Sequence, residues 1–284
     1  MGTLAQHATR YLLERRNRQE ITRGSALHIS YTLISLDESF GDRPLNTLGL
    51  RAIERWSETH PEWKASTRYT YMGQAREFCR WMVRRKLIRT DPFAEMRFPR
   101  RPRPAPKPIS RADIAVLLAH VPDARARLII HLQWGLGLRC AGCSNLRVED
   151  IDLIAKTLHI YEKGAERNLP ITPHVEAEID RYLWLHPATS GPLLRSYRRT
   201  WEGLTAGYIG IMVRRWMTEA GVKHSPYDGV HAHALRRTAL TETAVACGDA
   251  FVVAEFAGWA DISTAAHYVQ RASTDRVRAA LEAR

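Results

Sequence analysis

With 284 residues, 45% of them apolar and 8% aromatic, the chain can bury two cores of ordinary size, which excludes disorder as its general state. The longest apolar candidate, LIIHLQWGLGL, is interrupted by His131 and Gln133, and the first residues lack the apolar core of a signal peptide, so a membrane span and secretion are not expected and a cytoplasmic location is. The formal net charge is +12, and residues 1–107 carry 21 Lys and Arg against 11 Asp and Glu while the remainder carries 21 against 19; a surplus gathered in the first third points to a polyanionic partner, of which nucleic acid is the commonest in the cytoplasm.

Residues 1–98 read as helical throughout. Their clearest segment is STRYTYMGQAREFCRWMVRRKLI, with Ser66 as candidate N-cap and Tyr71, Ala75, Phe78 and Met82 on one helical face. Arg76, Arg80 and Arg84 form an i, i+4 ridge on another face. That ridge suits a bundle helix that faces DNA, and it equally suits a solvated helix surface. Residues 99–109 form a linker: the stretch FPRRPRPAPKPIS holds five prolines with Arg100, Arg101, Arg103 and Lys107, a composition that excludes helix and gives an extended, basic connector.

Residues 110–284 form the second domain, of mixed structure. Ser110 with Asp113 predicts a capping box, and Asp123 predicts the cap of a second helix through ARARLIIHLQWGL. The period then shifts toward two in TLHIY and NLPIT, on either side of a turn at Lys163 and Gly164, so a small antiparallel sheet is expected. Helices resume at Pro173, run through HALRRTALTETAVAC to a Gly248 cap, continue from Asp249 to Trp259 and begin again at Ser263. A further short helix is expected from Ser273 or Thr274.

Four cysteines, Cys79, Cys140, Cys143 and Cys247, are too few and scattered for a disulfide framework. Cys140 and Cys143 make a CxxC without a second pair, and His231 and His233 are two possible ligands without carboxylate or thiol company, so no metal site is expected.

The residues that can serve one phosphate lie in this second domain. Two arginines, Arg139 after GLGL and Arg236 in HALRR, can hold the equatorial oxygens of a pentavalent phosphorus bidentately. Tyr268 supplies a phenol as nucleophile, His233 a base to take its proton, and Lys163 in the hairpin turn a proton for the leaving oxygen. Singly, each has a plainer reading: Tyr268 as a core aromatic, Lys163 as a solvated turn residue, His233 as a helix cap. An internal salt bridge to Arg139 or Arg236 is not expected, because the segments around them are poor in carboxylates. No GxxxxGK[ST] phosphate loop is present.

Taken in order, these boxes resemble those of the tyrosine site-specific recombinases, which include phage integrases and the Xer proteins. The match consists of Gly137, Leu138 and Arg139; Lys163 and Gly164 in a turn of GKG type, followed by Glu166, Arg167 and Pro170; His233, Leu235 and Arg236; Gly258 and Trp259; and Tyr268 nine residues after Trp259. The resemblance implies a mainly α fold with a small antiparallel β-sheet in the catalytic domain (α+β), preceded by a helical core-DNA-binding domain. It implies catalytic roles for Tyr268, Arg139, Lys163, His233, Arg236 and Trp259, and a site-specific recombinase that works through a 3′-phosphotyrosyl intermediate at paired sites without metal or nucleotide cofactor. Double-stranded DNA, self-association to a tetramer on it, a directionality or accessory factor and a nucleoid location follow from the same resemblance. DNA contacts are expected from Arg76, Arg80, Arg84, Arg100, Arg101, Arg103 and Lys107. Three positions depart from the family pattern: Gly142 replaces the usual acidic residue three after the first arginine, Ala165 replaces a basic hairpin residue, and Trp259 stands where histidine is commoner. A type IB topoisomerase-like enzyme and a catalytically idle DNA-binding regulator are the alternatives.

Overall fold

The computed structural model describes residues 2–100, 108–162, 165–225 and 228–282, without the side chains of 165 and 275–280. The chain divides into two compact units, Met1–Pro104 and Ala105–Arg284. No helix among the described residues is long and apolar enough to cross a membrane.

The first unit packs four α-helices: α1 (Leu4–Asn17), α2 (Arg23–Phe40), α3 (Leu50–Glu58) and α4 (Ala65–Arg84). Thr3 opens α1 with a capping box and Thr22 caps α2, each hydroxyl accepting an otherwise orphaned N–H. Leu33, Leu36, Ile53, Trp56, Met72, Phe78 and Met82 are buried together as one core, and Trp56 meets its polar requirement by donating Nε1–H to Ser35 Oγ at 3.0 Å. Ser66 does not cap α4. The cap is Lys64, in extended conformation and without a side-chain bond, so packing of the Ala75–Phe78–Met82 face, and not a hydroxyl, determines where this helix starts.

The second unit begins with α5 (Arg111–His120), α6 (Ala124–Gly135) and α7 (Cys140–Asn145). The Ser110–Asp113 capping box and the Asp123 cap are both present. α6 is buried nearly all round, including His131 and Gln133, which is why its sequence lacks a polar face. Three antiparallel strands follow in the order β1 (Ile151–Asp152), β2 (Thr157–Glu162), β3 (Ala165–Pro170). In β2 the buried positions are Leu158, Ile160 and Glu162, so the inward face ends in a carboxylate.

The remaining helices are α8 (Pro173–Leu185), α9 (Ala206–Glu219), α10 (Ala232–Cys247), α11 (Ala250–Ala257) and α12 (Ile262–Glu282). Pro173 occupies the first turn of α8, where its missing N–H costs nothing. The expected break at Ser273 or Thr274 does not occur: α12 is one helix, and Thr274 Oγ1 donates to Gln270 O at 3.1 Å instead of capping a new start. Small side chains let α10, α11 and α12 approach closely, with Ala244, Val253, Ala257, Ala265 and Ala272 forming a satellite core beside the main one.

Candidate active site

Arg139 stands at the N-cap of α7. The turn that delivers it depends on Gly137, whose φ of +61° favours glycine and where an added Cβ would press on the Phe256 ring. Contrary to the sequence expectation, Arg139 has a carboxylate partner: Nη1 lies 2.7 Å from Glu162 Oε2, and the other oxygen, Oε1, accepts the Arg139 backbone N–H at 3.0 Å. Glu162 is almost wholly buried, with 2% of its side chain exposed. Arg167 of β3 reaches the same carboxylate, Nη1 to Oε2 at 3.5 Å, while its Nε and Nη2 are buried without a hydrogen-bond partner among the described residues.

Arg236, on the first turns of α10, is buried, and among the described residues it bonds carbonyls and no carboxylate. Its Nη1 donates to Gly137 O and its Nη2 to Ala257 O at 2.6 Å, which ties the turn before Arg139 to the end of α11. Gly258, with φ of +64°, closes α11 in the left-handed region, and the Arg167 guanidinium occupies the space a side chain would need there. The chain then places the Trp259 ring 5.7 Å from Arg236 Cζ. Tyr268, on α12, tilts against Trp259 with ring centroids 5.7 Å apart.

His233 lies on the same helix turn as Arg236. The cap of α10 is not His233 but His231, whose Nδ1 accepts the His233 N–H at 3.2 Å. Burial, and then the charges of His231, Arg236, Arg237 and Arg139, push the His233 imidazole below its ordinary value. Burial raises the Tyr268 phenol, against the pull of Arg237 and Arg236. Burial, reinforced by Arg139, holds the Arg236 guanidinium down to about 10. These shifts describe crowded positive charge: Arg139 and Arg167 pair with the carboxylate of Glu162, whose charge Arg236 also feels, and an anion entering between them relieves the repulsion.

Arg139, His233, Arg236, Trp259 and Tyr268 are therefore assembled in one place, and Lys163 lies outside the described residues. Sequence reasoning missed Glu162 and Arg237, and it named Arg167 in the hairpin box without giving it a role. A signal existed for Glu162: it falls in register with Leu158 and Ile160 on the buried face of an alternating strand. Of the basic residues expected on DNA, Arg84 and Arg100 are exposed; Arg80 pairs with Glu77 at 3.0 Å and Asp91 at 3.5 Å; Arg76 packs over the Phe98 ring. Arg101, Arg103 and Lys107 lie outside the described residues. Cys140 and Cys143 are unpaired thiols, half-buried and buried respectively.

The second unit is thus a helical body carrying a three-stranded antiparallel sheet, with arginines clustered beside a tyrosine on a helix. Residues 109–274 match the model of the phage integrase family. The tyrosine recombinase XerA of Thermococcus kodakarensis is 30% identical over 197 residues, covering 68% of this chain and 67% of that protein. XerC of Rhodospirillum centenum is 27% identical over 249 residues, covering 80% and 69%. Among solved structures, the Tn1549 transposon integrase in complex with transposon right end DNA aligns over 98% of this chain and 100% of its own, with a TM-score of 0.77 and 17% identity. A lambda integrase dimer bound to a COC′ core site aligns over 94% and 77%, with a TM-score of 0.78 and 16% identity. The chain belongs to the phage integrase family. It is a site-specific recombinase, an enzyme that breaks and rejoins DNA.

Proposed function

We propose that Tyr268 attacks a phosphodiester of double-stranded DNA held by Arg139 and Arg236. The bond from Tyr268 Oη to phosphorus forms as the bond from phosphorus to the 5′ oxygen breaks, leaving a 3′-phosphotyrosyl link. The phenolic proton passes to His233, which burial among cations keeps neutral at pH 7. The departing 5′ oxygen takes a proton from Lys163, a role that rests on the family resemblance of its sequence box. Trp259 packs the tyrosine against Arg236 and does not move protons, since an indole N–H only donates. A 5′ hydroxyl from a partner strand reverses the step, and the energy of the broken bond is retained in the link, so the scheme needs no metal or nucleotide.

One observation carries this reading: Arg139 and Arg167 hold one buried carboxylate, the buried Arg236 guanidinium feels the charge of all three, and the half-buried Tyr268 phenol stands across Trp259 from Arg236. Residues 1–98 are the DNA-binding part and 99–109 the basic linker, with Arg76, Arg80, Arg84, Arg100, Arg101, Arg103 and Lys107 as backbone contacts. The DNA-bound states named for the Tn1549 and lambda integrases support double-stranded DNA as the partner. Exchange of two duplexes requires four protomers on paired sites, with α12 as the element that joins them.

The test uses nicked suicide duplexes tiled from the DNA flanking the coding gene, incubated with wild-type protein and Tyr268→Phe and run on a denaturing gel. The expected result is a covalent protein–DNA band with the wild type alone. Native-gel retardation by both proteins without any covalent band returns Tyr268 to a packing role and leaves a DNA-binding module.

A further inference from the structure

α7 begins with an arginine where a short polar acceptor is usual. Its third residue, where a Glu or Gln closes a capping box by accepting the N-cap N–H, is Gly142. Among the described residues the N–H of Arg139 is nonetheless satisfied, because Glu162 Oε1 accepts it at 3.0 Å from the end of β2. The other oxygen of the same carboxylate holds the Arg139 guanidinium at 2.7 Å and reaches Arg167 at 3.5 Å. Glu162 thus performs, from another element, what a carboxylate at position 142 would perform from within the helix. The space agrees: a Cβ on Gly142 would overlap Glu162 Oε1, and Cγ and Cδ would be crowded as well. Only a glycine at 142 leaves room for Glu162 to reach Arg139.

We infer that Glu162 and Gly142 form a reciprocal pair in which Glu162 is the positioning residue for Arg139. The inference rests on the reading of Arg139 as a ligand of the scissile phosphate. An arginine donates bidentately only when its plane is fixed, and Glu162 fixes it at two points, the backbone N–H and Nη1. It also balances part of the charge on Arg139 and Arg167. If the carboxylate and not the hairpin residue itself is what matters, its origin can be exchanged. Gly142→Glu combined with Glu162→Gly returns a carboxylate to the same space from α7.

The experiment compares wild type, Glu162→Gly, Glu162→Gln, Gly142→Glu and the double variant Gly142→Glu/Glu162→Gly. It reads single-turnover covalent-complex formation on a suicide duplex, native-gel affinity for the intact duplex, and thermal melting. Each single Gly or Glu variant is expected to slow cleavage about 100-fold, the scale of misplacing a reacting group by an ångström, while duplex affinity stays within about threefold. The double variant is expected to recover to within about tenfold of wild type. Glu162→Gln, which keeps the size and the N–H acceptor but not the charge that faces Arg139 and Arg167, is expected to stay folded at a lower melting temperature and to cleave slowly, while Glu162→Gly loses the acceptor as well. Wild-type rates in Glu162→Gly and Glu162→Gln, or a folded double variant no faster than its slower parent, overturn the pairing. A wild-type protein that forms no covalent band on any duplex removes the phosphotyrosyl reading itself, and the positioning role falls with it.

Discussion

His233 and Tyr268 set opposite requirements on one proton. Burial raises the phenol, so Tyr268 enters the reaction protonated and needs a base. Burial lowers His233, and the surrounding charges of His231, Arg236, Arg237 and Arg139 lower it further, so the imidazole stays neutral to a pH below its unperturbed value of about 6.5. A base works in its neutral form, and a depressed value extends that form toward acid. Cleavage measured with limiting DNA between pH 5 and 9 should therefore hold its rate as pH falls through about 6.5 and decline only below it. In His233→Gln that acid limb should disappear together with most of the rate. An acid limb at or above the ordinary histidine value would argue against His233 as the base.

Helices and strands differ in how far the sequence discloses them. The caps at Ser110, Asp123, Pro173 and Gly248 were legible because each is a local exchange between a side chain, or a φ, and the adjacent backbone. Ser66 and Ser273 misled because a hydroxyl caps a helix only where packing stops the helix, and α4 and α12 are set by neighbours distant in sequence. The clustering of Arg139, His233, Arg236, Trp259 and Tyr268 was legible in the order and spacing of their boxes. The partner of Arg139 was not, because local windows poor in carboxylates say nothing about a strand that returns 23 residues later. The continuity of α12 also changes where that helix can be cut. Ala265 and Ala272 are buried against α10 and α11, whereas Leu281 is exposed, so truncation after Thr274 spares the anchor that a cut at 272 would remove. Such a protein should melt within a few degrees of full length and bind a single half-site normally, yet fail to form the slow-migrating paired-site complex on a native gel. Equal loss of half-site binding would place the tail in folding and not in assembly.

The charge asymmetry concerns the protein as a whole. A formal surplus of ten charges in residues 1–107, against two in the rest of the chain, gives an attraction to DNA that is independent of sequence and falls with salt, as bound counterions are released. Not all of that surplus is available. Arg80 is engaged by Glu77 and Asp91, and Arg76 by the Phe98 ring, whereas Arg84 and Arg100 are exposed. A cation already paired gains little by meeting a phosphate, because it must leave one anion to reach another. The linker basics should then weigh more than the α4 ridge. Replacing Arg100, Arg101, Arg103 and Lys107 together by alanine should flatten the slope of log affinity against log salt by about 3 to 4, close to 0.9 for each phosphate left unneutralised. Arg80→Ala should change the slope by well under about 1 and should register instead in thermal melting, since it strands Asp91 and Glu77. Titration of a labelled duplex from about 50 to 200 mM salt separates the two. A larger slope change for Arg80→Ala than for the fourfold linker variant would move the DNA-binding surface from the linker to α4.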